Sequence, residues 1–232
     1  SSIYGNGEII SLLLDAGADA NARTVQGDTA LMNASKAGTV QGVQALIAAG
    51  ANVEARDDQL SQTPLMWAAA FNKAEIVRIL ADNGADVNAK SLELIFPGVI
   101  QGPISGDFPD GGLTSLHHAA RDNGVETVGV LLALGADPNI LDPQDISPLR
   151  VAITNKNLDV AKLLIEGGAN INDGSFVDIM GLEHKRDRVG HAASNYDNQT
   201  TAEELIALMM EMGVDVDSIP REPIPLYSTS FI

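Results

Sequence analysis

The sequence predicts an all-α repeat solenoid of about five stacked helix pairs, interrupted by one long finger insertion. Three observations support this fold class. A glycine-led hexapeptide recurs six times, a helix-start motif precedes four of these glycines by a constant 21 residues, and apolar residues recur at helical spacing between the two motifs. This regularity over 232 residues indicates one repeated unit rather than one or two ordinary globular domains.

The hexapeptide sets the period. Its first residues are Gly17, Gly50, Gly84, Gly135, Gly168 and Gly213. Successive copies are 33, 34, 51, 33 and 45 residues apart, so three steps match a period of about 33 residues and two contain insertions. Glycine suits this position because it ends a helix in a left-handed conformation that other residues resist.

The helix-start motif reads TALMNA, TPLMWA, TSLHHA and SPLRVA, beginning at Thr29, Thr63, Thr114 and Ser147. Ser or Thr followed by Pro is an N-cap followed by the one helical position that tolerates proline. Apolar residues at helical spacing, as in the segment 75–80, predict a second helix before each glycine. Stacking of such units is needed because one helix pair cannot bury both of its faces.

These motifs resemble the ankyrin-repeat family, whose unit combines a Thr-Pro-Leu-His-x-Ala helix start, a second helix and a Gly-Ala-Asp turn. The resemblance covers nearly the whole chain, and the long insertion gives it a bacterial style. It implies helix pairs with β-hairpin fingers and one long concave surface. The implied repeat domain covers 1–219, with units at about 1–23 (partial), 24–56, 57–90, 91–141, 142–173 and 174–219 (degenerate), before a Pro-containing tail at 220–232.

The two ends of the array are the least regular. Counting back 21 residues from Gly17 places the first helix start before Ser1, so we expect the full protein to extend further towards its N-terminus. In the last unit, Asp187–Ala193 is interpreted as a degenerate helix start and Glu203–Met212 as the second helix.

The insertion at residues 91–112 contains too many Gly and Pro residues for a helix and too many apolar ones for a purely solvated linker. We therefore interpret it as an extended finger loop, and insertions of this kind often belong to a binding face. Its apolar residues include Phe96, Ile100, Ile104 and Phe108.

Composition argues against several partner classes. A formal net charge of -17 repels nucleic acid and anionic membrane surfaces. The absence of cysteine excludes disulfides, thiolate zinc sites and cysteine nucleophiles. No apolar run in the sequence approaches the roughly 20 residues that span a bilayer. These features leave the compartment open.

Catalytic chemistry has little support in the sequence. The family resemblance implies a structural hydrogen bond from His117 to neighbouring backbone. His118 and His191 take the next position in their units, and a metal site or acid–base pair built from them would lack the tight spacing of zinc motifs. The segment Asp107–Gly112 lacks the ligand pattern of an EF-hand and is interpreted as a solvated turn. We expect no enzyme activity and no cofactor within these residues.

The resemblance implies that side chains four, seven and eight residues after each helix start lie on the concave side. Those positions give the predicted contact residues Asn33, Lys36, Trp67, Phe71, His118, Arg121 and Asp122, to which the insertion adds its four apolar residues. Trp67, Phe71 and Arg121 are of the types that anchor interfaces. Alternatively, Trp67 and Phe71 pack beneath the inserted loop and serve stability.

The function predicted from the sequence is a monomeric protein-interaction scaffold that binds an unidentified protein or peptide through the groove and the fingers. The alternative is a structural or accessory segment of a larger protein whose activity lies outside these residues.

Overall fold

The computed structural model describes residues 7–96, 108–188 and 198–216. In these residues the chain forms eleven helices and a two-stranded sheet. The helices are α1 Gly7–Asp15, α2 Ala30–Ala37, α3 Val40–Ala48, α4 Pro64–Ala70, α5 Ala74–Asp82, α6 Ser115–Arg121, α7 Val125–Ala133, α8 Pro148–Thr154, α9 Leu158–Glu166, α10 Ser175–Arg188 and α11 Ala202–Glu211. After α1 they form five pairs, which confirms the predicted solenoid.

Each of the helices α2, α4, α6 and α8 begins at the predicted motif. The side-chain oxygen of the Thr or Ser before each helix accepts a hydrogen bond from the amide three residues later, as an N-cap does. Pro64 and Pro148 occupy the first turn of α4 and α8, where an N–H would have no intrahelical acceptor. These four predicted helix starts are confirmed.

The helices stack in two layers. The first helices of successive units, α2, α4, α6 and α8, pack on one another, and the second helices α3, α5, α7 and α9 form the other layer. Small side chains such as Ala68, Ala119 and Ala152 are fully buried in the first layer. Because each unit buries its apolar faces against its neighbours, the core is continuous along the array.

Side chains in the hexapeptide turns link one unit to the next, and most of them are asparagines. Asn139 Nδ2 donates to the carbonyl of Gly168 at 3.1 Å. Asn88 Nδ2 donates to the carbonyl of Gly135 at 3.4 Å, and Asn88 Oδ1 accepts from the amide of Asp137 at 2.8 Å. The insertion lies between the units that Asn88 joins, so it leaves the stack unbroken.

The two ends of the insertion at 91–112 pair with each other as the two strands of a hairpin. Strands β1 (Glu93–Phe96) and β2 (Phe108–Gly111) pair antiparallel. The amide of Leu92 donates to the carbonyl of Leu60 at 2.7 Å, which joins the base of the hairpin to the preceding finger. The predicted extended finger is confirmed at these two ends, and residues 97–107 lie outside the described residues.

The predicted start of the last unit is wrong. Its first helix begins at Ser175, whereas Asp187 lies at the other end of the same helix. Gly174 has a φ of 98°, and the Asp173 carboxylate accepts from the Ser175 amide at 2.9 Å, so a turn opens α10 without the Thr-Pro motif. The predicted second helix is confirmed within one residue as α11, which Thr201 caps. The predicted tail at 220–232 lies outside the described residues.

Candidate partner-binding surface

The first helices bring three predicted contact residues together. Lys36 Nζ lies 5.1 Å from the centre of the Trp67 ring and 4.7 Å from the centre of the Phe71 ring. Trp67 and Phe71 are four residues apart at the end of α4, so both project from one face. Lys36 comes from the last turn of the neighbouring α2, where the helix dipole favours a cation. We call Lys36, Trp67 and Phe71 the cation–aromatic cluster.

A hydrogen bond to the finger fixes the indole of Trp67. Trp67 Nε1 donates to Asp57 Oδ2 at 3.1 Å, and Asp57 is 5% exposed. The other carboxylate oxygen accepts from the amides of Gln59 and Leu60 at 3.1 and 2.8 Å, which folds the finger around it. Asp57 was not among the predicted contact residues, and the signal that could have identified it is an aspartate that opens a polar turn.

Phe71 is 46% exposed and Lys36 is exposed, whereas Trp67 is partly buried. Lys36 Nζ lies by both rings, and Asp57 accepts from the Trp67 indole. The cluster therefore presents one partly exposed aromatic ring and one cation to solvent. The alternative packing of Trp67 and Phe71 beneath the inserted loop involves residues 97–107, which lie outside the described residues.

Arg121 and Asp122 form an ion pair at the end of α6, next along the layer. Arg121 Nη2 lies 2.9 Å from Asp122 Oδ2, and the two side chains are 47% and 34% exposed. The backbone below them is held by two asparagines: Asn72 Nδ2 donates to the Asp122 carbonyl at 2.7 Å, and Asn157 Nδ2 donates to the Arg121 carbonyl at 2.9 Å. This pair is therefore accessible and rigidly supported.

His118 does not offer the exposed contact that the sequence predicts. It is 3% exposed, because α6 packs between α4 and α8, and its Nε2 lies 3.3 Å from Gln62 Nε2. Burial, reinforced by the positive charge of Arg121, lowers the pKa of His118 to about 3. The imidazole is consequently neutral at physiological pH and is buried beneath the surface.

His117 has the structural role that the family resemblance implies. Its Nδ1 accepts from the Thr114 amide at 3.2 Å, and its Nε2 lies 3.2 Å from the carbonyl of Ile146 in the next finger. Burial lowers the pKa of His117, although the Ile146 carbonyl opposes this effect. The predicted hydrogen bond to neighbouring backbone is confirmed.

The other predicted contact residues, and His191, differ in how much of their surroundings the structure describes. Asn33 is partly buried, and its Nδ2 donates back to the Thr29 carbonyl at 3.2 Å, so its amide is partly occupied. Phe96 and Phe108 are paired opposite each other in the hairpin. Ile100, Ile104 and His191 lie outside the described residues.

The described residues hold no group of three or more His, Asp or Glu side chains placed to bind a metal ion. No helix in that part of the chain is both long and apolar enough to cross a membrane. The prediction of a solvated turn at Asp107–Gly112 is wrong for residues 108–111, because those residues form β2 and pair with β1.

A family model described as "Ankyrin repeats" matches residues 1–91 and 97–175, in three copies. A probable E3 ubiquitin-protein ligase of Oryza sativa subsp. japonica is 35% identical over 150 residues, covering 59% of this chain and 30% of the relative. A putative ankyrin repeat protein of Fowlpox virus is 31% identical over 146 residues, which cover 61% of this chain and 37% of the relative. A palmitoyltransferase of Neurospora crassa is 30% identical over 128 residues, which cover 55% of this chain and 15% of the relative. The chain thus spans about a third or less of the length of these relatives.

Proposed function

The chain belongs to the ankyrin-repeat family, and from that premise we propose that it binds a protein or peptide segment across the cation–aromatic cluster and the neighbouring Arg121–Asp122 pair. Ankyrin repeats are generally protein-binding modules and are not themselves catalytic. The observation that carries the proposal is the exposed Phe71 side chain beside Lys36, next to a Trp67 indole that Asp57 holds in place. Rigid aromatic side chains anchor interfaces because they bury much area at little entropic cost.

The inserted hairpin is the second part of the proposed binding surface. Its base hydrogen-bonds to the finger that begins at Asp57, which also holds Trp67. A segment bound on the cluster would therefore lie near the insertion, whose apolar residues Phe96, Ile100, Ile104 and Phe108 we propose as further contacts.

Peptide display tests the proposal without a known partner. Peptides selected from a random twelve-residue library against the chain should bind Phe71→Ala at least about tenfold more weakly, because loss of a central aromatic anchor costs more than about 1.4 kcal/mol. Met210→Ala is the matched control, since Met210 is 55% exposed on α11. Equal affinity of both variants for every selected peptide would contradict the proposed site.

The second candidate function is an accessory role within a larger protein. It is supported by the relatives, because the chain matches only 30% of the rice ligase and 15% of the fungal palmitoyltransferase. In this role the repeats would present a bound protein to an activity encoded elsewhere. The complete gene tests it: a catalytic or membrane segment outside residues 1–232 would support the role, and a gene encoding repeats alone would contradict it.

We also propose that the isolated chain is a monomer, because the repeats supply a continuous core without a partner. Light scattering during size-exclusion chromatography should give a mass near 24.3 kDa. The bacterial style of the insertion remains a prediction.

A further inference from the structure

In the four units that begin with the Thr or Ser motif, charge is distributed unevenly between the first and second helices. The first helices α2, α4, α6 and α8 contain Lys36, Arg121 and Arg150 and no Asp or Glu. The second helices contain several acidic residues, namely Glu75, Asp82, Glu126, Asp159 and Glu166. A chain with a net charge of -17 thus keeps the helices of its candidate surface free of carboxylates.

The three first-helix cations differ in how far they are neutralised. Arg150 pairs with Asp178 at 2.9 Å, with both side chains 21% exposed, and Arg121 pairs with Asp122. Among the described residues, no carboxylate lies within ion-pair distance of Lys36. Its neighbours are the faces of Trp67 and Phe71, which attract the charge but supply no carboxylate for its three N–H donors.

Asp57, the carboxylate that bonds to Trp67, does not supply that acceptor. Asp57 is 5% exposed, and its two oxygens already accept from Trp67 Nε1 and from the amides of Gln59 and Leu60. Lys36 therefore remains an exposed cation without a carboxylate partner among the described residues, beside the partly exposed Phe71 ring.

We infer that the segment bound at this surface is acidic: one of its Asp or Glu side chains pairs with Lys36 Nζ while an adjacent apolar side chain packs on Phe71. This inference rests on the proposed function and names the chemistry of the partner. A basic segment would place like charge beside Lys36. The overall negative charge does not prevent acidic binding at close range, because physiological salt screens exposed charges beyond about 8 Å.

The charge of display-selected peptides tests the inference. The library should encode Asp plus Glu and Lys plus Arg at equal frequency, and Trp67, the single tryptophan of the chain, reports binding by its fluorescence. Peptides whose binding depends on Phe71 should be net negative. The best of them should bind Lys36→Gln at least about fivefold more weakly, and Lys36→Glu more weakly still.

Lys162→Glu is the matched control, because it makes the same charge change on an exposed lysine of α9 in the other layer. It should change affinity less than twofold. Phe71-dependent peptides that are neutral or basic, or that bind Lys36→Gln unchanged, would overturn the inference and leave the proposed function standing. A selection without any Phe71-dependent peptide would overturn the proposed function itself.

Discussion

At the scale of single residues, the turn between the two helices of each unit requires one residue with positive φ, nine positions after the helix start. Gly38 fills it in one unit with φ 77°, whereas Asn72 and Asn123 each have φ 54° and Lys156 has φ 62°. Asparagine tolerates this left-handed region, but a lysine there is strained by its Cβ. The unit that begins at Ser147 therefore contains a local strain that its neighbours avoid.

Lys156→Gly should relieve that strain and raise the free energy of unfolding by about 1 kcal/mol, measured by urea denaturation. The matched control is Lys162→Gly, in the middle of α9, which should lower stability by about 1 kcal/mol because glycine disfavours a helix interior. Equal destabilisation by both substitutions would contradict a strained turn at Lys156.

The buried His118 makes stability depend on pH in a defined window. Its pKa is lowered to about 3 in the folded protein, so the unfolded chain binds a proton near its ordinary pKa of 6.5 while the folded chain does not. Stability is therefore fully present above pH 6.5 and falls as the pH drops below that value, by up to about 1.4 kcal/mol per pH unit for each such histidine.

Urea unfolding at pH 7, 6 and 5 measures this effect above the range in which carboxylates titrate. His118→Gln should flatten the fall between pH 6.5 and 5, and the lowered pKa of His117 should leave a residual slope. An unchanged slope in His118→Gln would contradict a neutral, buried His118.

Positions after each helix start placed Lys36, Trp67 and Phe71 on one surface only through the family resemblance, which implies the face that each position occupies. They did not reveal that His118 is buried, since its exposure depends on how tightly α6 packs against both neighbours and on Gln62 from another unit. Asp57 was missed for a similar reason: its bond to Trp67 joins a finger to a helix ten residues later.

At the scale of elements, hydrogen bonds join the units on either side of the hairpin directly, without passing through it. Asn88 and Lys90 precede the insertion, yet they bond to the carbonyls of Gly135 and Leu141 beyond it, at 3.4 and 2.9 Å. The insertion could be located from the sequence because it lengthens one repeat step. The start of α10 could not be located from the sequence, because an Asp-Gly-Ser turn there replaces the motif that opens the other first helices.

Replacing residues 94–110 with Asn-Gly should leave the helical circular dichroism and the free energy of unfolding within about 1 kcal/mol of the parent chain. The replacement joins paired positions Glu93 and Gly111 by a two-residue turn, which suits antiparallel strands. Asn88→Ala in the shortened chain should then destabilise it by about 1 kcal/mol. Loss of folding on replacement would show that the hairpin supports the stack.

At the scale of the whole molecule, equivalent positions differ in burial along the array. Leu13 on α1 and Leu46 on α3 both lie four residues before the glycine of their units, but Leu13 is 48% exposed and Leu46 is 2% exposed. In a solenoid each unit is buried by its neighbours, so the same residue type contributes differently at different points of the stack.

Leu46→Ala should therefore lower the free energy of unfolding by about 2 to 5 kcal/mol, as expected for a buried leucine. Leu13→Ala should cost less than about 1 kcal/mol in the same urea titration, because half of its side chain already contacts water. Equal losses at the two positions would contradict the stacking described for α1 and α3.

The most direct test of the account is the indole N–H signal of Trp67 in a ¹H–¹⁵N correlation spectrum, because the chain contains one tryptophan and that N–H bonds to Asp57 within the proposed surface. Adding a display-selected peptide should shift or broaden this signal in the parent chain and leave it in place in Phe71→Ala at the same peptide concentration. A bound peptide that perturbs backbone amides elsewhere while the Trp67 indole signal stays unchanged would contradict partner binding at the cation–aromatic cluster.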